Sequence, residues 1–231
     1  MTPNWAYSSE FTAWVAIALM VCFVCPPVTA LAQQTDSMQV QQLESCVSHS
    51  SCQDIQVALY DLANRKDFSF LMHTYSVSSP VNQEYIVGAI ENSGFGRNNP
   101  EIVSFMNSIA FDQHDTDSFS TLRWSALQFL ADICDDRALN ELRKGGATRR
   151  DTYKYSVACG VWANTLTSFG KCHYFSATRT LIDSTDTSCL DVGNAALDSL
   201  NTLYPGKCTN AHDFRAANEC FTKAQVDVQR K

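Results

Sequence analysis

Apolar residues recur along most of the chain at the spacing of an amphipathic helix. From Val192 onward they fall at offsets of 0, 3, 4, 8, 11 and 12, which is the period of a helix with one apolar face. Similar stripes occupy residues 120–134 and 153–165, and looser ones occupy 54–63 and 85–93. No long alternation of apolar and polar residues predicts a strand. The pattern therefore predicts an all-α protein.

A second, shorter helix is predicted after each of these segments. Asn99 followed by Pro100 is typical of an N-cap and the first helical residue. The pair Gly145 and Gly146 favours a helix end. Apolar positions define the five second helices: Phe68, Leu71, Met72 and Tyr75; Ile102, Phe105, Met106 and Ile109; Ala138, Leu139 and Leu142; Phe175, Leu181 and Ile182; Phe214, Ala217 and Phe221.

The first helices recur at a fairly regular interval. Spacings of 31, 37, 31 and 39 residues separate the anchor positions Leu59, Ile90, Leu127, Ala158 and Leu197. Self-similarity at this period is typical of solenoids, in which each helix pair buries its apolar face against its neighbours. We therefore predict an α-solenoid of about five helix-turn-helix repeats. The alternative is a helical bundle without repeats.

Two segments resemble HEAT repeats. Residues 122–142, LRWSALQFLADICDDRALNEL, combine a first helix with small residues in its middle, a turn with Asp, and a short second helix. Residues 191–200, DVGNAALDSL, contain the core V-x-x-A-A-L-x-x-L. The resemblance to HEAT-repeat proteins implies an interaction scaffold: a rigid concave surface that binds a protein or peptide by shape and charge, without a chemical step.

The N-terminal segment, residues 1–32, is predicted to be a signal peptide. Its uncharged apolar core from Ala13 to Cys25 is 13 residues long, too short for a comfortable membrane span. Ala30-Leu31-Ala32 matches the small-x-small pattern of a cleavage site. Cleavage would leave residues 33–231 as a single HEAT-like domain of a secreted or periplasmic protein. The alternative is an uncleaved leader that anchors a structural envelope protein, and membrane contact is expected only then.

Eight of the ten cysteines follow this leader, an even number that favours disulfides in an oxidising compartment. Zinc sites need paired short spacings such as C-x2-C, and the one such pair lies in the leader. We therefore expect no metal. The expected disulfides are two end staples and one bridge between adjacent repeats: Cys46–Cys52, Cys208–Cys220 and Cys134–Cys172.

Cys159 and Cys189 then remain, and the predicted repeat register places them far apart. Two explanations are open. Either the pairing of Cys134 with Cys172 is wrong, or Cys159 is a buried free thiol.

Charge and motifs restrict the function further. Seventeen basic and 24 acidic residues give a net charge of −7, which argues against a nucleic-acid partner. Neither G-x-S-x-G nor a phosphate-cradling glycine loop occurs in the sequence. We therefore expect neither a cofactor nor an enzymatic activity. The alternative is an enzyme accessory or lyase-like HEAT protein with a small-ligand pocket.

Basic residues are concentrated in residues 143–154, RKGGATRRDTYK, which hold five of the 17 basic residues. This segment is either a solvated loop beside a helix C-terminus or a binding site for an acidic partner. Nearby aromatic residues would anchor a partner if exposed and would be core packing if buried. The candidate binding residues are Arg143, Lys144, Arg149, Arg150, Lys154, Tyr155 and Trp162.

Overall fold

The computed structural model describes residues 28–112, 121–149, 156–208 and 213–229. These ranges contain eleven α-helices, one short 3-10 helix and no strand, which confirms the predicted all-α class. The α-helices are α1 (Val28–Ser48), α2 (Ile55–Asn64), α3 (Phe68–Val77), α4 (Pro80–Ser93), α5 (Pro100–Ala110), α6 (Thr121–Asp132), α7 (Asp136–Arg149), α8 (Ser156–Lys171), α9 (Thr178–Ser184), α10 (Leu190–Leu203) and α11 (Phe214–Gln229).

The chain divides into two compact units, Met1–Gln53 and Asp54–Lys231. The described part of the first unit contains α1 and the paired Cys46 and Cys52. Helix α1 runs without a break through the position after Ala32 at which cleavage is predicted. The second unit contains α2 to α11, and the boundary between the units falls inside the range 33–231 that the sequence predicts as one domain.

In the second unit, the first helices α2, α4, α6, α8 and α10 lie side by side in chain order, each against the next. Contacts between α6 and α8 show that these two helices are parallel. Trp124 lies near Trp162, and 3.0 Å separates Ser168 Oγ from Asp132 Oδ1. The second helices α3, α5, α7, α9 and α11 pack on neighbouring first helices.

The core of this unit is built from the apolar faces of both sets of helices. Its largest fully buried side chains include three phenylalanines, Phe129, Phe169 and Phe221. Buried leucine and isoleucine residues from α2 to α5 continue the core toward the N-terminal side: Leu59, Leu62, Leu71, Ile86, Ile90 and Ile102. The helical periodicity of the sequence accounts for these positions, since each set forms one face of its helix.

Three first helices end in the same local structure. After α2, α6 and α8 the chain reverses at Lys66, Cys134 and His173, with φ of 65°, 63° and 50°. In each case this residue's N–H bonds the carbonyl three residues earlier, and the next N–H bonds the carbonyl five residues before it. This is the Schellman arrangement, formed here without glycine, and it satisfies carbonyls that a helix end leaves open.

Two local predictions are wrong. Helix α7 does not end at Gly145 and Gly146 but continues to Arg149, because an interior glycine costs a helix only about 1 kcal/mol. The register of the fourth repeat, which begins with α8, is also displaced. Gln128 bonds Thr165, a separation of 37 residues, whereas the predicted anchors set α6 and α8 at 31. The sequence of α8 contains two overlapping series of residues at helical spacing, and the helix buries the series with the larger side chains.

Four cysteine pairs lie at disulfide separation, and the three expected pairs are among them. Their Cα–Cα distances lie within the usual range of about 4.4–6.8 Å. They are 5.2 Å for Cys46–Cys52, 5.3 Å for Cys134–Cys172, 6.2 Å for Cys159–Cys189 and 6.0 Å for Cys208–Cys220.

The expectation that Cys159 and Cys189 are far apart is therefore wrong. Cys159 lies in the first turn of α8, and Cys189 is the N-cap residue of α10, the next first helix. The bridge between them joins the N-terminal ends of these helices. The bridge between Cys134 and Cys172 joins the C-terminal ends of α6 and α8, so both pairings are compatible.

Candidate functional site

The basic residues near the end of α7 are engaged locally where the structure describes them. Arg143 is half-buried, and its Nη2 donates to Asn140 Oδ1 at 2.9 Å. Lys144 is exposed and forms an ion pair with Glu141, with 2.9 Å from Nζ to Oε1. Both contacts are made within α7, and of the two basic residues only Lys144 is exposed.

The other predicted binding residues divide into those beyond the described part and one in the core. Arg149 is the last residue of α7, and its side chain lies outside the described side chains. Arg150, Lys154 and Tyr155 lie outside the described residues altogether. Trp162 is only 2% exposed. As a partner anchor Trp162 is therefore a wrong candidate.

Trp162 is part of the packing between α6, α8 and α9. Its ring lies 6.2 Å from that of Trp124 and 6.4 Å from that of Phe169. Its indole N–H donates to Ser184 Oγ at 3.4 Å. The bulk of the Trp162 ring, packed against these neighbours, determines the register of α8 against α6.

A polar cluster joins the C-terminal ends of α6 and α8 to the loop after α4. Asp132 forms an ion pair with Arg97 and accepts a hydrogen bond from Ser168 Oγ at 3.0 Å. Lys171 Nζ donates to the Asp132 backbone carbonyl at 2.9 Å. One carboxylate thus ties three elements of consecutive helix pairs together.

The cluster extends inward through buried amide and hydroxyl groups. Gln128 Nε2 donates to Ser168 Oγ at 2.9 Å, and Thr165 Oγ1 donates to Gln128 Oε1 at 2.8 Å. Gln128, Thr165 and Ser168 are all buried. Because each of these buried side chains has hydrogen-bond partners within the network, the network favours one register of α8 on α6 rather than destabilising the core.

Glu91, near the end of α4, is a half-buried acid whose pKa is shifted. Burial and, to a smaller extent, the negative charge of Asp132 raise its pKa from 4.5 to about 7, although the Arg97 guanidinium opposes the rise. Near neutral pH this carboxyl therefore exists in both protonation states. Glu91 lies in the last turn of α4, three residues before the loop at Gly94.

A cavity of about 460 Å³ opens beside this cluster. One wall is the loop between α4 and α5, and the other is the turn between α2 and α3. Phe68 is a buried part of the wall, and Phe95 is 41% exposed. The residues that line it are Lys66, Phe68, Gly94, Phe95, Gly96, Arg97, Asn98 and Asn99.

The loop can line this cavity because of its glycines. Gly94 and Gly96 have φ of 68° and 82°, which glycine adopts without steric cost. An alanine at Gly96 would be strained by this φ, and its Cβ would lie 2.6 Å from Ile102 Cδ1, so the Ile102 side chain would also have to shift. Asn99 then caps α5 by accepting from the N–H of Glu101 at 2.9 Å.

Neither this cavity nor the polar cluster is among the sites that the sequence predicts. The segment GFGRNNP offers a signal in retrospect, because two glycines, an arginine and two asparagines precede a helix. Nothing in the sequence shows that Lys66, from an earlier helix pair, lies against it. That proximity arises only because α2 and α4 end side by side.

Within the described ranges no helix is long and apolar enough to cross a membrane. The same part of the chain contains no group of three or more His, Cys, Asp or Glu side chains that could hold a metal ion.

Comparison with known proteins gives no relative: no protein-family model, curated protein or solved structure matches this chain.

Proposed function

We propose that this protein is a secreted or periplasmic interaction scaffold of the HEAT-like solenoid type, which binds a protein or peptide on the exposed face of its first helices and performs no chemical step. The observation that carries the proposal is the row of first helices, α2 to α10, with exposed tyrosine and valine side chains at its N-terminal part. Such a row offers a continuous surface built from repeated units.

The turns after the first helices support a repeated unit. Residues 62–71, LANRKDFSFL, and 130–139, LADICDDRAL, share the pattern L-A-[ND]-x-x-D-x-x-x-L at a distance of 68 residues. Both segments form the same Schellman turn, and their last leucines, Leu71 and Leu139, are both buried. Equivalent residues thus form the same turn and the same buried contact in two helix pairs, as expected of a solenoid.

The exposed face of α2 and α4 supports a binding surface. Val57 and Val81 are 55% and 58% exposed, and Tyr60 and Tyr85 are exposed as well. The Tyr60 hydroxyl accepts a hydrogen bond from Asn92 Nδ2 at 3.4 Å, which connects the faces of the two helices. Tyrosine is enriched among residues that dominate binding energy, because it combines apolar area with a polar tip.

The disulfides support both the rigidity and the proposed compartment. Four pairs are compatible with an oxidising environment such as the cell exterior or the periplasm. Two of them fix neighbouring first helices to each other at opposite ends, Cys134–Cys172 and Cys159–Cys189. A surface held in this way binds with less loss of conformational entropy.

The test compares three forms of the oxidised protein as bait for the native secreted or envelope fraction. The first is the wild type, and the second carries Tyr60→Ser and Tyr85→Ser. The third carries Val77→Ser and Met38→Ser as a control, because both are exposed apolar residues on helices outside the row of first helices. We expect one stoichiometric partner whose affinity falls at least about tenfold in the tyrosine variant and stays within about twofold in the control.

Two results would contradict the scaffold. One is a folded wild-type bait that captures no stoichiometric protein. The other is a partner whose affinity is unchanged in the tyrosine variant. With a partner in hand, Arg149→Ala together with Arg150→Ala tests the basic segment, because loss of two charges should weaken binding and its salt dependence if an acidic partner docks there.

The cavity beside Glu91 favours a second candidate function, an enzyme accessory or lyase-like HEAT protein with a small-ligand pocket. An acid whose pKa is raised to about 7 next to a cavity is a feature that functional sites share. A small molecule bound with the same affinity by wild type and the tyrosine variant would support this candidate over the scaffold.

A further inference from the structure

We propose that the cavity between the α2–α3 turn and the α4–α5 loop binds an organic carboxylate that carries a flat apolar group. This site is separate from the exposed face of α2 and α4, and its existence does not depend on the scaffold function. The proposal stands on one uncompensated cation, a set of open backbone donors and an aromatic wall that meet at the cavity.

The uncompensated cation is Lys66. Its Nζ lies 5.0 Å from the centroid of the Phe95 ring, and it forms no ion pair with any residue that the structure describes. The second cation in the lining, Arg97, is already paired with Asp132. The cavity therefore offers one free positive charge, which matches a monoanion better than a dianion.

Nearby acids strengthen the preference for a single negative charge. Arg97, which lines the cavity, pairs with Asp132 and interacts with Glu91, and each of these acids would repel a second charge on the ligand. Asp67 and Glu101 are close in sequence to the lining residues, but neither lines the cavity. A carboxylate meets these conditions, whereas a phosphate ester would carry more charge than Lys66 can balance.

The loop supplies hydrogen-bond donors for such a group. The backbone N–H groups of Gly96, Arg97 and Asn98 bond to no acceptor in the described part of the chain. Gly96 has no side chain to screen them, and its φ of 82° turns the loop. Consecutive open N–H groups near a glycine of this kind are a frequent arrangement for holding carboxylates and other anions.

The aromatic wall explains the apolar part of the ligand. Phe68 is buried at the base of the wall, whereas Phe95 keeps 41% of its surface exposed beside Lys66. A carboxylate bound at Lys66 would therefore place its substituent against the Phe95 ring. A flat substituent would bury the most of that exposed surface and would stack on the ring.

The experiment is an NMR titration of the full-length oxidised protein, labelled with ¹⁵N, at low salt. The probes are N-acetylphenylalanine, a short peptide with a free C-terminal phenylalanine, and the amides of both. We expect saturable shifts of the Gly94, Gly96 and Asn98 amide signals with the carboxylates, and at least about tenfold weaker binding of the amides.

Two variants connect the binding to the proposed contacts. Lys66→Gln should weaken the carboxylate affinity about tenfold, because it removes the one free charge at nearly constant side-chain size. Lys144→Gln is the matched control, since it removes an exposed lysine that pairs with Glu141 away from the cavity. Phe95→Leu, which keeps the wall apolar but not flat, should weaken both carboxylates by a smaller factor.

The outcomes separate the sources of the carboxylate. Tighter binding of the peptide supports the site with a polypeptide C-terminus as ligand, and equal or tighter binding of N-acetylphenylalanine supports it with a free organic acid. The proposal is overturned if neither carboxylate gives saturable shifts, if the amides bind as well, or if Lys66→Gln and Lys144→Gln behave alike. None of these results alters the partner test with the tyrosine variant.

Discussion

Replacing Gly170 by alanine should loosen the packing of α8 on α10. A Cβ at Gly170 would lie 2.6 Å from Ser199 Oγ and 2.7 Å from Ser199 Cα. Since the Cα belongs to the helix backbone, rotation of the serine side chain cannot relieve the contact. The two helices would have to separate, and the 2.8 Å hydrogen bond from Ser199 Oγ to the Leu166 carbonyl would lengthen or break.

The expected magnitude follows from three opposing terms. Overpacking of this kind costs about 1–3 kcal/mol, and a weakened buried hydrogen bond costs about 1 kcal/mol. Alanine regains about 1 kcal/mol of helix propensity relative to glycine. We therefore expect Gly170→Ala to lower the free energy of unfolding by about 1–3 kcal/mol, which corresponds to a fall in Tm of roughly 2–12 °C for a domain of this size.

The same helix provides the control. A Cβ at Gly160 would meet nothing within 4 Å, so Gly160→Ala should leave the packing intact and stabilise α8 by up to about 1 kcal/mol. Urea unfolding of the oxidised proteins, followed by circular dichroism, measures both variants under the same conditions. The reasoning would be refuted if Gly170→Ala were as stable as the wild type or if both variants shifted in the same direction.

Three further predictions concern the bridges and the polar cluster. Because the pKa of Glu91 is higher in the folded state than in the unfolded chain, its contribution is complete below about pH 4.5 and is lost as the pH rises through about 7. Wild-type stability measured by urea unfolding should therefore fall over this range by up to about 3 kcal/mol more than that of Glu91→Gln, and parallel profiles would contradict this. Replacing both Cys159 and Cys189 by serine should cost about 2–4 kcal/mol in the same assay, and peptide mapping without reduction should recover the two residues in one linked fragment from the wild type. Gln128→Leu should cost about 1 kcal/mol, because the Thr165 and Ser168 hydroxyls lose their amide partner but keep their bonds to the Val161 carbonyl and the Asp132 carboxylate, and an unchanged unfolding midpoint would exclude that network as a stabilising element.

The helices themselves could be predicted closely because their signals are local. The cap at Asn99 and the proline after it start α5 where expected. The end of α7 could not be predicted in the same way, since glycine raises the free energy of a helix without forbidding it.

The candidate site, unlike the helices, could not be predicted from local signals in the sequence. The concentration of charge in residues 143–154 predicts a binding site, yet the described part of this segment continues α7 and makes contacts within that helix. The cavity could not be predicted, because Lys66 and Phe95 are 29 positions apart in the sequence and only the packing of α2 against α4 brings them together.

The sequence alone determined the helical class, the approximate helix limits and the cysteine-rich character of the chain, because apolar period, capping residues and composition act over a few neighbouring positions. Tertiary structure decided the register of α8 on α6, where the bulk of Trp162 and the bond from Thr165 to Gln128 outweigh a weaker stripe of small residues. It also decided the fourth disulfide, since Cys159 and Cys189 meet only when both parallel helices begin at the same end. Such choices depend on side-chain volume and on contacts between distant segments, which local periodicity does not encode.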